Sequence, residues 1–214
     1  MIEEILKLDS QLFLFLNNLG SSTFDAFWIF LSYKESNIFF YLSLLIFYFY
    51  KESKSIKLSE VFHSLLFIAI MILIADQTAN LFKDSFQRLR PCYNESLIDS
   101  VRLVKESCGG KYGFFSAHAS NSFSLAVFFG LLYKNRFRYI IYISLLYASL
   151  ISYSRIYLGV HFPLDILFGG VYGITIGLVV FRIYENKLDF FKFLNKSWPS
   201  IICLRFSYVS FISF

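Results

Sequence analysis

The sequence predicts an all-α fold, built as a polytopic bundle of transmembrane helices. Of its 214 residues, 57% are hydrophobic and only 16% are charged, whereas soluble domains are about 45–50% apolar and about 25% charged. Apolar stretches recur along the chain between polar connections. The net charge of +5 is typical of the basic loops of a membrane protein, and no basic stretch has the spacing of a nucleic-acid-binding motif.

The first 36 residues predict a helical hairpin that lies in the membrane interface. Residues 5–19 have an amphipathic pattern, and Gly20 follows them as a helix stop. Polar residues at 21–23 can cap a second helix over residues 24–31. Each helix is shorter than the about 20 residues that a crossing requires. The alternative is one broken span over residues 11–33, which would give six spans in place of five.

Five apolar stretches predict the transmembrane core, which we assign to residues 37–184. The predicted spans cover residues 37–50, 61–82, 117–133, 139–152 and 163–180. Residues 185–214 mix Lys, Asn and Ser with Phe and Ile. They form a C-terminal tail, either an interfacial helix or an irregular segment, and we assign it no role.

Counting the spans places two polar segments on the same face of the membrane. Residues 51–57, 134–138 and 182–187 are rich in Lys and Arg, which predicts that they lie on the cytoplasmic side. The loop 83–115 and the segment 153–165 therefore share the opposite face. The count alone brings these two segments together, whichever face is cytoplasmic.

Polar residues from three parts of the chain meet at this opposite face. Lys83 and Arg90 follow the second span, and Arg155 closes the fourth. They supply three cations, two of which are planar guanidinium groups suited to phosphate oxygens. Ser116 lies where the third span begins, and free backbone N–H groups at a helix start favour an anion. The arrangement predicts a phosphate-binding site.

Two histidines on this face suggest two chemical roles. Of His118 and His161, one can attack phosphorus and the other can protonate the leaving oxygen. Asp165 follows His161 by four residues, a spacing at which its carboxylate can reach the imidazole and fix its tautomer. Zinc would need three or four ligands close together, and three nearby cations would repel a metal ion. We therefore expect no metal and no other cofactor.

These residues resemble the motifs of the type 2 phosphatidic acid phosphatase superfamily, which also includes the vanadium haloperoxidases. The family pattern is Lys-x6-Arg-Pro, then Pro-Ser-Gly-His, then Ser-Arg-x5-His-x3-Asp. The corresponding segments here read KDSFQRLRP at 83–91, FSAH at 115–118 and SRIYLGVHFPLD at 154–165. The first and third match fully, whereas Phe115 and Ala117 replace the Pro and Gly of the second.

The resemblance implies a role for each residue of the pattern. His161 is the expected nucleophile and Asp165 its partner, while His118 is the expected general acid and later the base for water. The resemblance also implies that the enzyme is metal-independent. The residues expected to hold the phosphate are Lys83, Arg90, Ser116, Ala117 and Arg155.

The resulting prediction is an integral membrane phosphatase that hydrolyses a lipid phosphate or pyrophosphate through a phospho-histidine intermediate. Short bacterial members that the chain resembles act on undecaprenyl pyrophosphate, phosphatidylglycerol phosphate or lipid A phosphates, and the sequence leaves this choice open. A phosphotransferase that passes the phosphoryl group to an acceptor alcohol is the alternative. A scaffold with a decayed site is disfavoured by the intact His161–Asp165 pair.

The expected partners are the lipid substrate and the bilayer, and the oligomeric state is not predicted. The expected location is a bacterial inner membrane, with the site on the periplasmic or extracellular face. Cys92 and Cys108 both fall in the loop 83–115. A disulfide between them would tie this loop beside the phosphate site if that face is oxidising. Because loop geometry decides whether two cysteines can pair, the sequence leaves this bridge open.

Overall fold

The computed structural model describes residues 1–52, 58–105, 107–135 and 137–209, with the backbone alone for residue 52 and residues 188–209. Within these ranges the chain forms seven α-helices, and the all-α prediction is confirmed. The helices are α1 (Ile2–Asn18), α2 (Asp25–Ser32), α3 (Lys34–Glu52), α4 (Leu58–Phe86), α5 (Ala117–Leu132), α6 (Ile140–Tyr157) and α7 (Pro163–Val209).

Each predicted span coincides with one helix. By length and composition α4, α6 and the segment Pro163–Lys187 of α7 can cross a membrane, and α5 is a shorter apolar helix of 16 residues. The remaining predicted span corresponds to α3, which has 19 residues. Of the basic connections, residues 53–57 and 136 lie outside the described residues, among them Lys54, Lys57 and Arg136. The prediction of a helical membrane bundle is confirmed.

The central helix of the bundle is α5, which packs against α3, α4, α6 and α7. Small residues permit its close contact with α7, because backbones approach most closely where side chains are small. A Cβ atom on Gly173 would lie only 2.3 Å from a backbone oxygen of α5. Three glycines of α7 face the cap and two serines of α5, both sets spaced by four residues: Gly169, Gly173 and Gly177, and Ser116, Ser120 and Ser124.

Two helices extend beyond their predicted ends. The prediction that the fourth span ends at residue 152 is five residues short, because α6 continues to Tyr157. The polar residues after 152 do not end α6. The buried Ser154, for example, satisfies its hydroxyl within the helix by donating a hydrogen bond to the carbonyl of Ile151 at 2.6 Å. Similarly, the backbone of α7 remains helical from the predicted fifth span into the tail and reaches Val209.

The N-terminal helices α1 and α2, together called the hairpin below, pack on the ends of α6 and α7 that face the loop after α4. In α1 the inward positions are Asp9, Phe13 and Asn17, and large apolar residues such as Leu8 and Phe15 are exposed. Asn17 is fully buried and donates hydrogen bonds to the carbonyls of Ile156 and Tyr157 at 3.0 Å. The hairpin therefore binds the end of α6 through a polar side chain.

Candidate active site

His161 and Asp165 form a buried pair where α7 begins. His161 lies in the turn after α6, and Asp165 lies in the first turn of α7. The Nδ1 atom of His161 is 3.3 Å from Oδ2 of Asp165, and the same oxygen accepts the N–H of Phe162 at 3.0 Å. Because the carboxylate occupies Nδ1, the Nε2 atom of His161 is the one available to a ligand.

The three predicted phosphate-binding cations converge on this histidine. Lys83, Arg90 and Arg155 line one cavity together with His118 and His161. Lys83 comes from the last turn of α4 and Arg155 from the last turn of α6. In the described part of the chain, no group of three or more His, Cys, Asp or Glu side chains is arranged to hold a metal ion.

Electrostatics keep the His161 imidazole neutral. Burial lowers the pKa of His161 well below its ordinary value, and the charges of Arg90, Arg155 and Lys83 lower it further. At pH 7 the imidazole therefore has a free lone pair, which a nucleophilic nitrogen requires. The same three charges attract an anion to the place where this nitrogen is exposed.

The loop after α4 holds Arg90 from behind. Its Nη1 atom donates to the carbonyl of Cys108 at 2.8 Å, and its Nε atom donates to the carbonyl of Tyr112 at 3.2 Å. A disulfide joins Cys92 to Cys108, with their Cα atoms 6.4 Å apart. Backbone carbonyls and a covalent cross-link thus fix the guanidinium position, while the half-buried side chain still lines the cavity.

The start of α5 reaches the cavity through Ala117 and His118, which line it. Ser116 stands behind them and is fully buried. Its hydroxyl oxygen accepts the N–H of Ala119 at 3.5 Å as the helix cap, and its own N–H donates to the carbonyl of Asp165 at 3.0 Å. Ser116 therefore ties the first turns of α5 and α7 together.

Aromatic packing supports the helix start at the position where the family pattern has proline. Phe115 is 3% exposed, and its ring lies between Phe82 of α4 and Tyr172 of α7. Both ring centroids are 5.2 Å from that of Phe115. The side chain thus fixes the segment before α5 by contacts with two helices.

Away from its polar end the cavity becomes an apolar groove, and its total volume is about 650 Å³. Faces of α3, α4 and α5 form its walls, because the lining residues recur every three or four positions. The wall formed by α4 is roughly 27 Å long from Lys83 to Leu65. This length is close to the thickness of the hydrocarbon core of a bilayer, which is about 30 Å. The apolar lining comprises Ile38, Tyr41, Leu42, Leu45, Leu65, Ile68, Ile72, Leu125 and Phe129.

Arg88 and Asp9 extend the histidine–aspartate pair, and the sequence analysis missed both. Arg88 donates to Oδ1 of Asp165 at 2.8 Å and also forms an ion pair with Asp9 of α1. Asp9 is 5% exposed and accepts the N–H of Leu164 at 2.9 Å. Arg88 lies within the first motif, two residues before Arg90, whereas only an inward position on an amphipathic helix marks Asp9.

Two more residues at the site escaped the sequence analysis. Ser32, at the end of α2, accepts a hydrogen bond from Nη1 of Arg155, and no motif marks it. A Cβ atom on Gly113 would lie 3.1 Å from Oδ2 of Asp165 and 3.2 Å from Cγ of Arg90. Gly113 therefore permits the loop to pack against the pair, and it belongs to the CGGKYGF run before Ser116.

Comparison with known sequences identifies related proteins over most of the chain. The pattern of the PAP2 superfamily matches residues 64–189. A lipid A 4'-phosphatase of Porphyromonas gingivalis is 35% identical over 202 residues, which cover 93% of this chain and 81% of that protein. A lipid A 4'-phosphatase of Bacteroides thetaiotaomicron is 37% identical over 190 residues, which cover 88% and 81%.

Two solved structures have a similar fold. The crystal structure of LpxE from Aquifex aeolicus is 29% identical with a TM-score of 0.60, covering 80% of this chain and 93% of that one. A PAP2-type phosphatidylglycerolphosphate phosphatase from Bacillus subtilis is 18% identical with a TM-score of 0.65, covering 86% and 87%. The family pattern spans more than half of the chain, in agreement with its three motifs, and the chain belongs to the PAP2 superfamily.

Proposed function

We propose that this integral membrane protein is a phosphatase that hydrolyses the 4'-phosphate of lipid A or of a closely related glycolipid. The observation that carries the proposal is the buried His161–Asp165 pair at the cationic end of a long apolar groove. A phosphorylated head group fits the cationic end, and an acyl chain fits the groove. The two lipid A 4'-phosphatases at 35% and 37% identity favour this substrate over undecaprenyl pyrophosphate and phosphatidylglycerol phosphate.

The reaction proceeds in two halves. First, Nε2 of His161 attacks the phosphorus, the bond to the lipid oxygen breaks, and His118 donates a proton to that oxygen. Asp165 holds the opposite ring nitrogen and stabilises the positive imidazole of the phospho-histidine. Next, His118 takes a proton from water, which attacks the phosphorus. Inorganic phosphate leaves, and neutral His161 is restored.

Five groups hold the phosphate during both halves. The cationic side chains stabilise the charge that develops on the non-bridging oxygens, which is the contribution that a metal ion makes in other phosphatases. The N–H of Ala117 adds a donor at the start of α5. The hydroxyl hydrogen of Ser116, which stands behind the cavity lining, would add a donor to a phosphate seated deep against this helix start. The cationic side chains are those of Lys83, Arg90 and Arg155.

We assign residues 1–36 as an interfacial hairpin that supports the site and residues 37–184 as the catalytic core. The exposed apolar residues of α1 suit the boundary between head groups and acyl chains. We place the site on the periplasmic face of the inner membrane. The basic Lys134 follows α5, and Arg182 follows the predicted fifth span within α7; both support this orientation.

Release of inorganic phosphate from purified lipid A in detergent tests the function. His161→Ala and His118→Ala should each reduce turnover at least about 1,000-fold, as the loss of a nucleophile or acid–base group does in other covalent catalysts. His63→Ala is the matched control, because His63 lies near the far end of α4, and it should retain activity. Undiminished turnover in the His161→Ala protein would refute the mechanism. Transfer of label to an added alcohol would instead support the phosphotransferase.

A further inference from the structure

Three polar side chains lie in the cavity wall at a level below the phosphate site. Asp76 of α4 lies seven residues before Lys83, which places it about 10 Å further along the helix axis. Asn121 of α5 donates its Nδ2 hydrogen to Oδ1 of Asp76 at 2.8 Å. Asn37 of α3 lines the same cavity, so that it shares one space with Lys83, Asp76 and Asn121.

The partners of the two asparagines fix the orientation of their amides. Asn121 turns its amide nitrogen to Oδ1 of Asp76, so its amide oxygen points elsewhere. Asn37 donates its nitrogen to the carbonyl of Tyr33 at 3.0 Å. The oxygens of both amides are buried and have no hydrogen-bond partner among the described residues. These three side chains therefore offer acceptors, two amide oxygens and a carboxylate, while the neighbouring Gln77 in the same lining carries both a donor and an acceptor.

A carboxylate and two unpaired amide oxygens are unexpected in a cavity that binds an anionic lipid. A carboxylate near the phosphate site repels the substrate, and polar residues inside a membrane span are unfavourable without a function. Buried acceptors without donors also reduce stability. A role restricted to joining α4 and α5 explains the Asp76–Asn121 bond but not the two unpaired oxygens or Asn37. Hydrogen-bond donors on the bound molecule would resolve all three.

We propose that Asp76, Asn121 and Asn37 form a subsite for hydroxyl or amide N–H groups of the substrate, about 10 Å from the phosphate along α4. This subsite rests on the proposed function and narrows its substrate class. An N-acylated or hydroxyacylated amino-sugar phosphate carries such donors near the base of its acyl chains. A diacylglycerol phosphate carries only ester and alkyl groups at that depth. The subsite thus selects lipids with donors next to the head group.

The test compares two substrates on each protein preparation. One is a glucosamine lipid phosphate with 3-hydroxyacyl amide chains, and the other is dioleoyl phosphatidic acid. The ratio of their kcat/KM values is insensitive to the fraction of folded protein. We expect the wild type to prefer the first, and Asp76→Leu or Asn121→Leu to reduce this ratio at least tenfold. Asp76→Asn, which retains volume, should reduce it in the same direction.

The control is Thr78→Val, which removes an intramembrane hydrogen bond with Tyr172 of α7 at 2.9 Å and should preserve the ratio. Equal ratios in the wild type and the Asp76 and Asn121 variants would overturn the subsite, while phosphate release from either lipid would leave the phosphatase standing. A ratio reduced equally by Thr78→Val would also overturn it. Failure of the wild type to release phosphate from both lipids would overturn the proposed function and the subsite together.

Discussion

Asp9→Asn tests whether the N-terminal hairpin sets the geometry of the proposed catalytic pair. Arg88 bridges the carboxylates of Asp9 and Asp165, and thus divides its charge between them. Once Asp9 is neutral, the guanidinium acts on Asp165 alone. This should weaken the hold of Asp165 on Nδ1 of His161, which is already 3.3 Å away.

The expected loss follows from the number of contacts affected. A hydrogen bond to a charged group contributes about 1.5–3 kcal/mol, and the substitution weakens one such bond, between His161 and Asp165, without removing it. A loss of about 1.4–2 kcal/mol in transition-state stabilisation corresponds to a roughly 10- to 30-fold lower kcat. KM should change little, because the cations that hold the phosphate keep their contacts. Steady-state phosphate release in detergent measures both constants.

The thermal stability of the Asp9→Asn protein distinguishes a role of Asp9 in positioning the catalytic pair from a role in holding the fold together. Burial raises the pKa of Asp9, even though the hydrogen bond from Arg88 opposes this. Because the pKa of Asp9 is higher in the folded protein than its unfolded value of 3.8, this side chain stabilises the fold below pH 3.8. The contribution is lost as the pH rises through the folded pKa. At pH 7 the charge of Asp9 therefore adds no net stability, and asparagine still offers an acceptor to Leu164. We expect Tm to change by less than about 4 °C.

The same substitution at Asp25 is the matched control. Asp25 belongs to the same hairpin, but it accepts hydrogen bonds from Arg102 at 2.7 Å and from Tyr157 at 2.8 Å. The hydrogen bond from Arg102 lowers the pKa of Asp25, so its charge does stabilise the fold at pH 7. Asp25→Asn should lower Tm and preserve kcat. Equal losses of kcat in the two variants, or a wild-type kcat in Asp9→Asn, would refute the reasoning.

Gly173→Ala should lower Tm by several degrees, because the new Cβ would lie 2.3 Å from a backbone oxygen. Gly170→Ala should lower Tm less, because its Cβ would lie 3.2 Å from a phenylalanine ring. Thermal unfolding in detergent compares the two variants. Cys92→Ser should lower the free energy of unfolding by about 3 kcal/mol, the value for a loop of about 15 residues, and raise KM because the support of Arg90 loosens. Arg90→Gln should raise the pKa of His161, which burial and this cation lower. The acid limb of kcat/KM should then move to higher pH, and an unmoved limb would contradict this assignment.

The parts of the site that the sequence could predict are those that depend on local spacing and on the count of spans. The four-residue spacing lets Asp165, in the first turn of α7, reach back to His161 just before that helix, as the structure has them. The count of spans brings the loop after α4 to the turn before α7, and Lys83, Arg90 and Arg155 do share a cavity there. Neither step requires knowledge of tertiary packing.

The predicted end of α6 was wrong because hydropathy alone set it. Apolar character decreases after residue 152, yet the helix continues through Arg155. Tertiary partners make this possible, since Ser32 of α2 accepts a hydrogen bond from the guanidinium. Likewise, the ion pair of Asp9 and Arg88 joins positions 79 residues apart, and no periodicity links them. Contacts of this kind depend on how the hairpin docks, which the pattern of apolar residues does not specify.

The inward residues of the hairpin indicate a role beyond the membrane attachment that we propose for it. An anchoring helix needs only an apolar face toward lipid, and it has no reason to bury polar side chains. Asp9 acts on Asp165 through Arg88, and Asn17 holds the carbonyls at the end of α6. Both precede the PAP2 pattern, which begins at residue 64. Inward substitutions in the hairpin should therefore alter turnover, whereas outward ones at its exposed apolar positions should alter membrane attachment alone.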